Sequence, residues 1–477
     1  MAATKFHLAP LAIALTLSAC QAVDTGDLLK KSSSLFNKSA STESQAEQTS
    51  SSIPVEGDEA AAKSLSDILA GSSASVNASK GFKAALAAAV TSDPGILAAA
   101  DEVDALEAQV EITKAGKDIQ VTGSLYGGVE DVTDETSGVA AVLNATRLVF
   151  DGGRIDAQIE ASRQRALAAR YALQAKMDER ANSVAGIWAD LEKYRALSEL
   201  ISTRLEILDP LIKQLEQVAD AGVGDVTQVS AAQRTVSAIR VEQTDVAERL
   251  RQAELQFLNA FGELPKQSSF DEEFIAGKVP NKITDDMIRS APALNSEYAT
   301  YLAAEADLAS VKAKGSVNIA FEAKASRPFG GSEYDSKEGI GLVLTKSFFD
   351  KDRLKAEEAQ AEARVEGAVA RIQTLYRDGE RIVNSAQQTV KSMDKAISLA
   401  QKNAETSREE IKYLRRQLIV GGSSLDSVLS AEARLYDAES MEIGFATDRL
   451  KAQITILSAL GQLSSSLGLS ALSDKGN

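Results

Sequence analysis

The sequence predicts a mainly α-helical chain with a small membrane β part, written as two tandem repeats that each run helix, β-hairpin, long helix, helix. Three observations predict it. The junctions "LVFDGGRIDAQ" (148–158) and "SFFDKDRLKAE" (347–357) recur at a constant offset of 199 residues, Phe150 answering to Phe349, Asp151 to Asp350 and Arg154 to Arg353. Before each junction apolar residues alternate with period two, and after it they recur at helical spacing for about 70 residues. The composition is 44% hydrophobic but only 5% aromatic, which suits Ala- and Leu-rich helices packed closely.

Charge and residue counts exclude much chemistry. A net charge of −16 argues against nucleic acid as a partner, because phosphate binding needs clustered Lys and Arg. The one histidine, His7, and the one cysteine, Cys20, both lie in the first 20 residues. The rest of the chain therefore has no disulfide, thiolate zinc site, histidine-based triad or haem histidine, and we expect no enzyme activity, cofactor or metal. Gly152-Gly153 lacks the Lys-Ser/Thr tail of a phosphate loop.

The N-terminus carries Lys5, an apolar run from Leu8 to Leu17 and then Leu17-Ser18-Ala19-Cys20, the pattern of an export signal too short to span a membrane stably. It is similar to the lipobox of bacterial lipoproteins, which implies a signal peptide over 1–19 and lipid attachment at Cys20. Residues 20–80 are rich in Ser, Ala, Thr, Glu and Gln and are expected to form a disordered tether, with a weak helix around Ala60 to Leu69.

Repeat 1 is assigned to 81–264 and repeat 2 to 290–463, with an irregular linker at 265–289 and a tail at 464–477. Each repeat opens on a helix after a proline, "DPGILAAADEVDALEAQVEITKAGK" and "APALNSEYATYLAAEADLASVKAKG". A hairpin follows, about 119–150 and 317–349. Ile119, Val121, Gly123 and Leu125 alternate with Gln120, Thr122, Ser124 and Tyr126; Val317, Ile319, Phe321 and Ala323 alternate with Asn318, Ala320, Glu322 and Lys324. Each strand is thus oily on one face, and about ten residues is the length that crosses a bilayer when tilted.

The long helices come next, roughly 100 Å each at 1.5 Å per residue. A heptad seam runs Val184, Ile187, Leu191, Tyr194, Ser198, Ile201, Leu205, Leu208 in repeat 1, with Leu197, Leu200, Ile207 and Leu211 beside it. In repeat 2 it runs Val383, Ala386, Val390, Met393, Ile397, Ala400, Ala404, Ser407, Ile411, Leu414, Leu418. Pro210 is expected to kink or break the first long helix. Each long helix ends in a glycine turn and a returning helix of about half its length, the opening helix supplying the rest of the span. Phe150 and Phe349 are expected to close strands, and Asp151 and Asp350 to cap the helices that follow. Trp188, Tyr171 and Tyr194 belong at helix interfaces; Tyr126 and Phe348-Phe349 suit a membrane aromatic belt.

Four strands cannot close a barrel, and in lipid every backbone group must be paired, so the chain needs partners. Three copies supply twelve strands, within the even range of outer-membrane barrels. In this order, and twice over, helix, hairpin, "FDGGR" junction, long helix, "VSAAQR" tip, "FGEL" and "SALG" resemble the TolC-like outer-membrane efflux proteins, across nearly everything after the tether. The resemblance implies a homotrimer with a 12-stranded β-barrel in the outer membrane continuous with a long α-helical barrel in the periplasm. It implies as partners a periplasmic adaptor protein, an inner-membrane transporter and outer-membrane lipid, and export of small molecules or proteins by a tripartite efflux pump or type I secretion system. The gate it implies lies at the helical tips: Asp225, Thr227 and Gln228 in repeat 1, Leu418, Ser423, Asp426 and Ser427 in repeat 2. Gln228 replaces the family's Asp, Leu418 its Tyr, Ser423 its Arg and Ser427 an Asp, so a salt-bridge latch is not carried over. The competing classes are a periplasmic coiled-coil spacer, which leaves the alternating strands unexplained, and an adaptor, whose many short strands are missing.

Overall fold

The computed structural model describes residues 81–129, 137–220, 226–265, 270–329, 336–346, 350–419 and 423–470. The signal peptide, Cys20, the tether, the Ala60–Leu69 helix, Asp225, the Phe348-Phe349 pair and the end of the tail lie outside these residues.

The chain opens on α1 (Phe82–Thr91) and α2 (Pro94–Ala115), the latter capped by Asp93, whose Oδ1 accepts from the backbone N–H of Gly95 (2.9 Å) and Ile96 (3.3 Å). Strands β1 (Gln120–Val129) and β2 (Ser137–Phe150) lead into α3 (Arg154–Asp220), and α4 (Val226–Phe261) returns beside it. The connection holds two short helices, α5 (Glu272–Ala276) and α6 (Asp285–Arg289), where an irregular linker is expected; each is five residues long, too short for a periodic signal. Then come α7 (Pro292–Ala313), β3 (Asn318–Phe329), β4 (Lys337–Thr345), α8 (Lys351–Ile419), α9 (Leu425–Ala459) and the single turn α10 (Leu463–Ser466).

The helices form a wall one layer thick. Near the tips the order across it is α4, α3, α9, α8; near the sheet it is α2, α3, α7, α8. The two long helices thus run the full height, while α2 sits above α4 and α7 above α9. Cross-wall ion pairs mark the antiparallel alignment: Arg170 to Glu107 (2.6 Å) joins α3 to α2, Lys314 to Glu357 (2.8 Å) joins α7 to α8, and Lys451 to Asp190 (2.6 Å) joins α9 to α3. At the joint between α9 and α7, Gly461 has φ +70°, and a Cβ there would lie 2.1 Å from Pro292 Cδ. Only glycine fits this butt joint.

The seam spacing explains the burial. On α8, Val383, Ala386, Ala400, Ala404, Ser407 and Ile411 are buried and the intervening seam residues half-buried, while most other positions are exposed, because within one chain α8 has neighbours along only one edge. On α3, which has neighbours on both edges, Leu191, Ile201 and Leu208 are fully buried and the second row contributes Leu197 and Leu200; Ile207 turns outward at 40% exposure.

Pro210 neither ends nor divides α3, which is assigned as one helix of 67 residues. Pro210 and Glu206 are exposed, so the carbonyl that loses its partner is on the solvent side, and the neighbours Leu208 and Ile212 hold the helix by packing. Pro210→Ala should therefore stabilise the protein, by about 1 to 3 kcal/mol. A shift in the chemical unfolding midpoint checks it; an unchanged or lowered midpoint refutes it.

The largest core sits at mid-height, where Trp188, Phe257 and Phe261 are fully buried with Phe82 from α1, Ile275 from α5 and Leu463 from α10. Trp188 meets Phe82 at 5.3 Å, Phe257 at 5.0 Å and Phe261 at 5.2 Å, all edge to face. A second cluster near the tips joins Ile201, Leu205, Leu208 and Ile212 of α3 to Val236 and Ile239 of α4 and to Leu425, Val428, Leu429 and Tyr436 of α9.

Candidate functional site

Three places carry chemistry or mechanics: the sheet, the junction beneath it and the helical tips. The sheet is a four-stranded antiparallel meander in the order β1-β2-β3-β4. Its register stacks the alternating residues of both hairpins. Val121, Ala145, Ala323 and Ile340 form one row, and Arg147, Phe321 and Leu342 the row nearer the helices. On the opposite face Gln120, Thr146, Glu322 and Gly341 form a row, followed by Thr122, Asn144, Lys324 and Gly339. One face is therefore mainly oily and the other mainly polar, with Arg147, Arg327 and Glu338 as the charges on the oily face of the described strands. The oily face is uncovered: Leu125 is 73% exposed, Leu342 69% and Ile340 76%. Among the described residues strands β1 and β4 pair on one side only, leaving two long open edges. Among the described residues no helix is long and apolar enough to cross a membrane.

At the foot of β2 the ladder slips. Leu148 pairs with Ala320 but Phe150 pairs with Ile319, so Val149 is an extra, bulged residue. Strict alternation would set Phe150 with Thr146 and Leu148 on the polar face. The bulge re-aims it to the oily face, where it is 51% exposed. Asp151 follows, buried, with Oδ1 accepting from Gly153 N (3.1 Å) and Oδ2 from Ile155 N (2.8 Å), so its carboxylate serves two free donors at the start of α3. Gly152 takes φ +71°, and a Cβ there would lie 2.4 Å from Ser316. The second junction is built differently. Asp350 accepts from Leu354 N through its backbone carbonyl (2.9 Å), its carboxylate pairs with Arg353 (2.7 Å), and α8 starts on the next residue, Lys351. The two helices thus start differently, α3 through the carboxylate of Asp151 and a left-handed Gly152, α8 through the backbone carbonyl of Asp350.

At the repeat-2 tip, Leu418 packs half-buried on the cluster that holds Leu425 and Val428. Ser423 Oγ donates to the Leu414 carbonyl (2.8 Å), closing the turn back onto α8. Ser424, one residue beyond the position singled out from sequence, is the N-cap of α9: its Oγ accepts from Ser427 N (3.3 Å) and lies 2.9 Å from Ser427 Oγ. A serine three residues before another polar residue and an apolar run was the available signal. Asp426 is exposed and has no ion-pair partner among the described residues. Thr227 and Gln228 lie in the first turn of α4.

Above this tip Arg204 of α3 is buried, stacked 4.6 Å over the Tyr436 ring, whose hydroxyl donates to Glu242 of α4 (2.8 Å). Burial lowers the Arg204 pKa, against the pull of Asp437 and Glu432, and burial with the Glu242 bond raises that of Tyr436. These groups tie α4, α3 and α9 together, and sequence patterning did not point to them. Among the described residues no three His, Cys, Asp or Glu side chains converge as a metal site.

An amphipathic sheet with open edges, set on a wall of helices far longer than a globular core requires, defines the class: a membrane channel subunit with a helical tunnel. The chain belongs to the outer membrane efflux protein family, which it matches over residues 85–263 and 300–462. It is 21% identical over 384 residues to the probable efflux pump outer membrane protein TtgC of Pseudomonas putida, covering 76% of this chain and 79% of TtgC. It shares its fold with CusC (TM-score 0.69, 18% identity, 81% of this chain and 93% of CusC). The same holds for the outer membrane protein VceC of Vibrio cholerae (TM-score 0.67, 15% identity, 79% of this chain and 95% of VceC).

Proposed function

We propose that the chain is the outer-membrane channel subunit of a tripartite efflux system, working as a homotrimer anchored through a lipid on Cys20. The observation that supports this is the sheet, mainly oily on one face, with β1 and β4 each paired on one side only among the described residues. Antiparallel order lets β4 of one copy pair with β1 of the next, which removes every edge when the ring closes. Three copies give twelve strands, with the polar face lining the pore. The efflux-pump name of the relative TtgC favours efflux over protein secretion. The subunit does no chemistry; a periplasmic adaptor at the tips opens it and an inner-membrane transporter supplies the energy. A pore-less spacer would not use the amphipathic sheet.

At the tips, closure rests on packing and serine hydrogen bonds, with Asp426 without an ion-pair partner among the described residues and Leu418 half-buried against the apolar cluster. Planar-bilayer recording tests both readings. Leu418→Ala should raise single-channel conductance several-fold, while Asp426→Ala changes it little. Equal conductance in Leu418→Ala and the parent protein refutes the apolar gate, and no conductance in any tip variant refutes the channel.

A further inference from the structure

One cation stands on the oily face of the sheet near the helices. Arg147 lies on β2, exposed, between Ile119 on the β1 side and Phe321 of β3. Among the described residues it has no ion-pair or hydrogen-bond partner. The charged pair at the loop end of the same face is different: Arg327 faces Glu338 across the β3–β4 ladder at 3.4 Å and is neutralised within the chain. Between the Arg147 row and the Leu143–Ala325–Glu338 row lies the uncharged row Val121, Ala145, Ala323 and Ile340, so Arg147 and the Glu338 row are four residues apart, roughly 13 Å of strand at about 3.3 Å per residue.

Arg147 also borders a groove. An open hollow of about 600 Å³ is walled by Ile119, Ala145, Val149 and Phe321 with Arg147 beside them. The bulge helps to shape it, since Val149 is the extra residue in the ladder. An exposed guanidinium is a five-donor fork suited to phosphate, and apolar walls suit hydrocarbon. A cation at the edge of an apolar band lies at headgroup depth, where its alkyl stem is buried and its charge reaches the interface.

We propose that this groove is a phospholipid site in the leaflet on the helical side of the membrane, Arg147 holding the headgroup phosphate and Ile119, Val149 and Phe321 the upper acyl chain. It rests on the assignment of this face to the membrane. The site lies in the middle of the sheet, on β2, so it is present in each subunit however the edges close.

The test uses the full-length protein reconstituted in phosphatidylcholine vesicles with and without phosphatidylglycerol, extracted mildly and weighed by native mass spectrometry. The wild-type protein should retain phosphatidylglycerol. Arg147→Gln should lower that retention at least five-fold, Arg147→Lys should keep a substantial part of it, and Arg327→Gln should leave it unchanged. Excess inorganic phosphate should not displace the lipid. Equal retention by Arg147→Gln and wild type overturns the site, and full displacement by phosphate reassigns it to a soluble anion and also overturns it. Conductance is recorded in the same membranes for wild type and the Leu418→Ala tip variant: its absence from both refutes the channel, whereas conductance with equal lipid retention by Arg147→Gln and wild type refutes the lipid site alone.

Discussion

Trp188→Ala should destabilise the protein by about 4 kcal/mol, the range for deleting a fully buried large aromatic with incomplete collapse of the cavity. Trp188 is fully buried and joins three elements far apart in sequence, through Phe82 of α1 and Phe257 and Phe261 of α4. Each edge-to-face contact adds roughly 0.5 to 1.5 kcal/mol beyond area burial. The indole nitrogen works the other way: Nε1 is buried without a hydrogen-bond partner among the described residues, a desolvation penalty of about 1 to 3 kcal/mol. Trp188→Phe removes that penalty while keeping a ring in place, so it should cost only about 1 to 2 kcal/mol. Chemical unfolding in detergent, followed by far-ultraviolet circular dichroism because Trp188 is the one tryptophan, separates the two. A loss below about 1 kcal/mol for Trp188→Ala, or equal losses for both variants, would show that the mid-height cluster does not organise the fold.

The mid-height core also shows what patterning conveys and what it does not. Helices α3 and α8 were legible because a 3-4 spacing sustained over many turns matches a packed helix and little else, and the buried stripe of α8 follows the spacing from Val383 to Ile411. The hairpins were legible from period two, and their register brings Val121 and Ala323 to one face. Aromatic content was less informative: at 5% it suggests thin helix packing throughout, yet Phe82, Trp188, Phe257, Phe261, Phe270 and Phe274 gather at one level. Residues this far apart in the chain share no local period. The bulge at Val149 was invisible for a related reason, because an insertion in the ladder is defined by the partner strand and leaves no mark in β2 itself. At the tips, family positions led to Ser423 and Ser427, while the cap on α9 is Ser424.

Away from the sheet, the junction and the tips, a buried carboxylate of α3 anchors the end of the described chain. Asp178 of α3 is almost wholly buried; Oδ1 accepts from Ser464 N (2.8 Å) and Oδ2 from Ser464 Oγ (2.8 Å), while Gln174 Nε2 donates to the same Ser464 Oγ. Ser464 is the second residue of the turn α10, which brings Leu463 and Leu467 into the mid-height core. Asp178→Ala would strand two buried donors at about 1 to 3 kcal/mol each, so a loss of about 3 kcal/mol is expected, with new protease cleavage near residues 463–470 as its local sign. Burial raises the Asp178 pKa, and the bonds from Ser464 and Gln174 only partly offset it. The sign follows: an acid whose folded pKa is raised binds more protons folded than unfolded. Its stabilising contribution is complete below the ordinary aspartate value, about 3.9, and is lost as pH rises through the raised one. Asp178→Asn has no such titration and keeps an acceptor for Ser464 N, so it should lie within about 1 kcal/mol of wild type at neutral pH. Below that, the wild type should gain on the asparagine variant as pH falls toward about 4. Parallel stability curves for the two proteins, or an alanine variant as stable as wild type, would show that the buried carboxylate neither titrates in this range nor holds the C-terminal turn.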